Sequence, residues 1–186
     1  MCSRIAPVMV LFVLLSGFAT AVDADPAVHY GFGRTPAAAT IKALDIAIGP
    51  RGEELPSGSG TVADGATLYA ERCAMCHGAS GREGPDPILV GGHGTLTSAE
   101  PRLTIGSYWA YATTLYDYIS RAMPFFAPGS LAPNEIYALC AYLLNANGII
   151  ADDAVMDRET LPAVEMPNRN GFIPDPRPDT GHAGHP

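Results

Sequence analysis

Apolar positions recur at helical spacing in three stretches of this chain, and the glycine- and proline-rich segments between them mark where regular structure stops. In the first, Ala63 to Arg72, residues Ala66, Tyr69 and Ala70 lie at i, i+3 and i+4. The second runs from about Tyr111 to Arg121, with Leu115, Tyr118 and Ile119 on one side. The third opens at Leu131-Ala132-Pro133-Asn134-Glu135 and carries Ile136, Leu139, Cys140, Leu143 and Leu144 until Asn147-Gly148 stops it. A shorter helix-compatible run, Ala37 to Asp45, follows Pro36, and Gly49 to Gly60 breaks all periodicity and reads as a linker on the surface. The pattern predicts a small all-α core at 61–150, with an N-terminal extension and linker at 22–60 and an acidic, proline-rich tail at 151–186. Such a tail has no core of its own and either packs across the domain or stays mobile.

A different apolar run precedes all of these. Arg4 supplies a short positive flank, Val8 to Phe18 an apolar stretch, and Ala19-Thr20-Ala21 a small-residue cleavage site. Residues 1–21 are therefore expected to be a signal peptide, too short to be a stable membrane span, and the mature protein is expected in the periplasm. Cys2 lies ahead of the apolar run and is discarded with it. Of 186 residues, 11 are basic and 19 acidic, and losing Arg4 leaves 10 bases, a net charge of −9. Only Lys42 is a lysine. A nucleic-acid footprint or a docking face for anionic membrane is excluded by that balance, and a partner with a basic patch is favoured.

Chemistry enters at Cys73-Ala74-Met75-Cys76-His77, immediately after the first helix. C-x-x-C-H is the attachment pattern of a c-type haem: two thiols add to the porphyrin's vinyl groups, and the adjacent imidazole reaches the iron. A zinc site would need a second Cys/His pair at ligand spacing, which Cys2 and Cys140 do not form. A thioredoxin-like pair would need a βαβ setting, which is absent. One such motif predicts one covalent haem c. Cys140, within the last apolar stripe, is expected to be a buried free thiol.

The ligand opposite His77 decides between electron carrier and open-site haem protein. Met123 is the choice, because Pro124 stops the second helix there and lets the thioether turn inward. Phe125 and Phe126 would then keep water from the iron edge. Met166, in a second Met-Pro pair, is the runner-up, and His93 is the imidazole alternative, against an exposed loop histidine. His29, His182 and His185 lie outside the core. The His77 Nδ1 proton needs an acceptor, for which the carbonyl at Pro85 is expected and that at Pro87 is the alternative. Leu89 is expected to pack on the porphyrin, with Trp109 or Tyr108 near a propionate.

Gly65 and Tyr69, Cys73 to His77, Gly84-Pro85, Met123-Pro124 and the helix containing Tyr142 together resemble the class I cytochrome c domain, over about Thr61 to Ile150. The resemblance implies that the first and last helices cross where Gly65 or Tyr69 meets Tyr142. Ile105 to Leu115, Arg121 to Phe125 and Val164 to Ile173, with Gly33 to Pro36 and Leu55 to Gly60, are similar to cytochrome subunits of periplasmic molybdenum sulfite or sulfane dehydrogenases. That sulfane dehydrogenase cytochrome usually has two haem domains and this chain has one. Cytochromes that serve quinoprotein alcohol dehydrogenases have related sequences. The resemblance implies an electron-transfer protein for sulfur oxidation, with no bond chemistry of its own. Its donor would be a periplasmic dehydrogenase and its acceptor another cytochrome or a terminal oxidase. The rivals are a general soluble shuttle and a haem enzyme or gas sensor with an open sixth site.

Overall fold

The computed structural model describes residues 32–176. The export segment, Cys2, His29, His182 and His185 lie outside them. The chain divides into residues 1–37 and 38–186, and among the described residues the regular elements all lie in the second unit.

Its first element, α1 (Ala38–Leu44), buries no residue. Chain order then gives β1 (Ser59–Thr61), α2 (Val62–Arg72), the short α3 (Ala74–His77), α4 (Ala112–Ala122), α5 (Pro133–Ala146) and β2 (Val155–Asp157). The three periodic stretches are α2, α4 and α5, each within a residue or two of its expected bounds. Thr61 caps α2 by accepting the Asp64 N–H at 3.1 Å. At α5, Pro133 sits in the first turn and the Glu135 carboxylate accepts the Ala132 N–H at 2.7 Å. Helix α4 ends at Met123, whose N–H still bonds Ile119 O at 3.1 Å, because Pro124 has no N–H to continue the ladder.

Helix α5 is the centre of the core. Tyr137, Leu139, Cys140 and Leu144 are fully enclosed, with Tyr69 from α2 and Leu115 and Tyr116 from α4 around them. The Tyr116 and Tyr137 rings meet at 4.7 Å between centroids, and Tyr69 meets Tyr142 at 4.9 Å. Gly65 lies directly against the Ala138 carbonyl, so close that a side chain there would collide with it and with Tyr142 Cβ at 2.7 Å. The expected crossing is thus made by both residues: Gly65 supplies the close approach and Tyr69 the aromatic contact. Cys140 is a free thiol, pushed well above its ordinary range by burial.

The segments on either side of the helical core are woven into it. Within the stretch expected as a surface linker, Leu55 is buried, Tyr137 Oη donates to Pro56 O at 2.8 Å, and Asn134 Oδ1 accepts the Ser59 N–H at 3.0 Å. Gly60 lies on the Ala138 backbone as closely as Gly65 does. β1 pairs antiparallel with β2, with Gly60 opposite Met156. Met156, Leu161 and Met166 complete the core cluster. The tail therefore packs across the domain, with its buried residues reaching Met166. A strand of three residues has too short a period to show in the hydrophobic pattern, which is why neither β1 nor β2 is legible in the sequence.

Two substitutions test this packing by urea unfolding of the haem-loaded protein. Gly65→Ala should cost about 1–3 kcal/mol through overpacking against Ala138. Leu161→Ala should cost about 2–5 kcal/mol, the value of a core leucine. A tail that merely lay on the surface would give a change near zero for Leu161→Ala.

Candidate functional site

Cys73 is both the last cap of α2 and the first of α3: its N–H bonds Tyr69 O at 2.9 Å, and its carbonyl accepts from Cys76 and His77 at 3.1 and 3.0 Å. The two cysteines thus sit on one tight turn with the imidazole beside them. After His77 the backbone must reverse. Gly78 does so at φ +79°, and a Cβ there would strike the Glu83 carbonyl. Tyr69 Oη donates to Gly78 O at 2.9 Å, anchoring the reversal to α2. The returning loop lies on the motif itself: Asp86 N–H bonds Cys76 O at 3.1 Å, and Gly84 leaves no room for a side chain against the Cys76 carbonyl.

This fold-back delivers a carbonyl to the imidazole. His77 Nδ1 lies 2.9 Å from Pro87 O. The acceptor is Pro87 and not the expected Pro85, because Asp86 is tied back to Cys76 and the chain presents its next carbonyl to the ring. A proton on Nδ1 leaves Nε2 as the free ring donor for a metal.

Burial, with the neighbouring Cys76 adding, pushes the Cys73 thiol up to about 11, and a hydrogen bond to the Asp86 carboxylate raises Cys76. Both are free, and among the described residues no three His, Cys, Asp or Glu side chains converge to hold a metal ion. Two separate thiols and an imidazole with its Nδ1 secured fit a porphyrin held at its edge and ligated at its centre.

The residues expected around that porphyrin share one character. Leu89, Trp109 and Met123, like Cys73 and Ala74, are partly buried and packed against the core. Trp109 also meets Tyr118 edge-on at 5.8 Å. Met166 is 3% exposed and enclosed by protein, so it serves as core filler and has no open thioether to offer. His93 is exposed in its loop, and Pro85 is exposed as well. Phe125 and Phe126, expected to shield the iron, are 72% and 84% exposed and stack edge-on with each other at 5.2 Å. Tyr108 lies against the tail, where Asn168 Nδ2 donates to its carbonyl at 2.7 Å and Phe172 packs on its ring at 5.2 Å. Arg169 stacks over Tyr111 at 4.3 Å. The sequence reading missed Asn147, a polar residue closing an apolar stripe; its only signal was the helix-stopping Asn-Gly pair.

Against known proteins, the family described as Cytochrome c matches residues 62–147. A chain from the crystal structure of the sulfane dehydrogenase SoxCD from Paracoccus pantotrophus is similar at 42% identity, with a TM-score of 0.72. The likeness covers 85% of this chain and 80% of that one. No curated protein matches significantly.

If the two thiols carry the cofactor, haem should stay with the polypeptide after denaturation in acid and solvent, and Cys73→Ala/Cys76→Ala should release all of it. Retention by the double variant would remove the motif from the site.

Proposed function

The chain belongs to the cytochrome c family, and from that premise we propose that it is a periplasmic monohaem electron carrier whose donor is a molybdenum-dependent sulfur-compound dehydrogenase. Family membership carries covalent haem c and electron transfer with it; the donor, compartment, haem count and sixth ligand are proposed. Haem c supplies a one-electron iron couple at a porphyrin edge.

The chain's own residues set that couple. Cys73 and Cys76 would fix the porphyrin to the single turn of α3 that follows α2, which removes the freedom a dissociable cofactor would have. Pro87 O holds the Nδ1 proton of His77, orienting the ring and raising the basicity of Nε2. Met123 offers a thioether, a ligand that raises the potential and suits acceptance of electrons from a dehydrogenase. Leu89 would pack on the porphyrin and exclude water there, with Trp109 near a propionate. One C-x-x-C-H supports one haem, and the signal-peptide pattern of residues 1–21 supports export. Among the described residues no helix is long and apolar enough to cross a membrane.

One observation carries the choice of donor. The general cytochrome c family accounts for residues 62–147 alone, whereas the likeness to the dehydrogenase chain covers 85% of this one. It therefore takes in parts of the extension and tail that electron transfer alone does not require. The acidic surface is complementary to a basic docking face on such a donor or on the acceptor, a cytochrome or terminal oxidase.

Mixing the oxidised protein with a periplasmic molybdenum sulfur dehydrogenase and sulfite or a sulfane substrate should reduce the haem far faster than unrelated donors do. Equal rates with unrelated donors would make the protein a general shuttle. Reduction only by a quinoprotein alcohol dehydrogenase with its alcohol would replace the donor. Met123→Ala should lower the midpoint potential by more than 59 mV, over tenfold in the reduced-to-oxidised ratio. An unchanged potential would remove Met123 from the iron.

A further inference from the structure

The apolar stripe of α5 ends on a buried polar side chain that neither haem attachment nor ligation uses. Asn147 is 4% exposed. Its Nδ2 donates to Leu143 O at 2.8 Å and to Leu89 O at 3.3 Å, and its Oδ1 accepts the Gly91 N–H at 2.9 Å. Room for that oxygen is made by Gly106, where a Cβ would run into it. One carboxamide therefore joins the end of α5 to the Leu89–Gly91 strip.

The strip is held from its other side too. Leu89 and Val90 donate to Gly81 O at 2.8 and 3.0 Å, and Leu89 O receives a second donor, the Ile105 N–H, at 3.3 Å. Two residues before Leu89 stands Pro87, whose carbonyl holds His77 Nδ1. Pro87 itself is exposed, so its position is set by its neighbours in the chain. Behind it, Asp86 is tied to Cys76; ahead of it, the Leu89–Gly91 strip is held from outside the loop by Asn147, by the Ile105 N–H on Leu89 O and by Thr104 Oγ1 donating to Gly91 O.

We infer that Asn147 is a positioning residue for the axial imidazole: its carboxamide locks Leu89–Gly91 to the end of α5 and so fixes where the Pro87 carbonyl meets His77 Nδ1. The inference rests on His77 being the iron ligand. A well-placed acceptor makes the imidazole a stronger donor, which favours the oxidised iron. Loosening the strip weakens that hydrogen bond and raises the potential. Breaking the carboxamide network also leaves buried backbone groups unpaired, so stability falls in any case. Potential and proton exchange, which a purely structural role would leave alone, carry the decision.

The test compares haem-loaded wild type, Asn147→Leu, Asn147→Ala and Leu161→Ala, the last a core truncation in the tail. Asn147→Leu and Asn147→Ala should raise the reduced-to-oxidised ratio at fixed applied potential about tenfold, a 59 mV shift. Leu161→Ala should not move it, however much stability it loses. Identical potentials in all four proteins would overturn the inference, as would an equal shift in Leu161→Ala. Should neither Asn147 variant take up haem, wild type decides by hydrogen exchange in the reduced state. The His77 Nδ1 proton and the Gly91 amide should then open together, with equal protection and equal urea dependence. A Gly91 amide that opens freely while the His77 proton stays protected would also overturn it. Absence of a histidine-ligated haem in wild type would defeat the proposed function and this assignment with it, whereas unchanged potentials in the Asn147 variants would defeat this assignment alone.

Discussion

The close approach of α2 to α5 at Gly65 governs the rest of the molecule. Only a residue without a side chain lets the α2 backbone lie on the Ala138 carbonyl, and Tyr69 one turn on then stacks against Tyr142. Because Cys73 is the last cap of α2, this crossing also decides where the C-x-x-C-H turn points. The C-terminal end of α5 holds Asn147 and, through it, the strip that follows Pro87. The motif and the carbonyl that meets its histidine are thus hung from the middle and the end of the same helix. Gly60 extends the arrangement by bringing β1 onto the same Ala138 backbone, which seats the Met156 strand and the tail beyond it.

The helices were readable because each obeys a simple rule. The stripe from Ile136 to Leu144 has the period of a buried helix, Pro133 and Glu135 mark its start, and Pro124 ends the helix before it. The haem motif was readable because its spacing has few other uses. What escaped the sequence depends on contacts between distant residues. Leu55 and Leu161 look like isolated apolar residues in polar surroundings, and nothing local says that they share a core with α4 and α5. The choice between the Pro85 and Pro87 carbonyls turns on the Asp86 N–H bonding Cys76 O, a backbone contact no side-chain pattern records. Asn147 reads as a helix stop, and its three hydrogen bonds become visible only when Leu89 and Gly91 are brought beside it. Phe125 and Phe126, expected beside the iron edge because they flank Met123-Pro124, are exposed and stack on each other.

The division of labour in the site follows from these placements. Covalent attachment needs two thiols on one turn beside an imidazole, and α3 with its cap Cys73 supplies them. The imidazole itself is met by a backbone carbonyl, that of Pro87. The extension and tail stabilise the core and carry the segments shared with a dehydrogenase chain, so covering the core and meeting a partner are compatible uses of the same residues. Arg169 on Tyr111 and Asn168 on Tyr108 tie the middle of the tail to the stretch that contains Trp109.

The central claim is that iron sits between His77 and Met123. Proton NMR of the reduced protein with its methionine methyl groups labelled tests this directly. The account predicts a single methyl resonance, that of Met123, displaced far upfield by the porphyrin ring current, with Met75, Met156 and Met166 at ordinary positions. An ordinary position for Met123, or displacement of Met166 in its place, would contradict it.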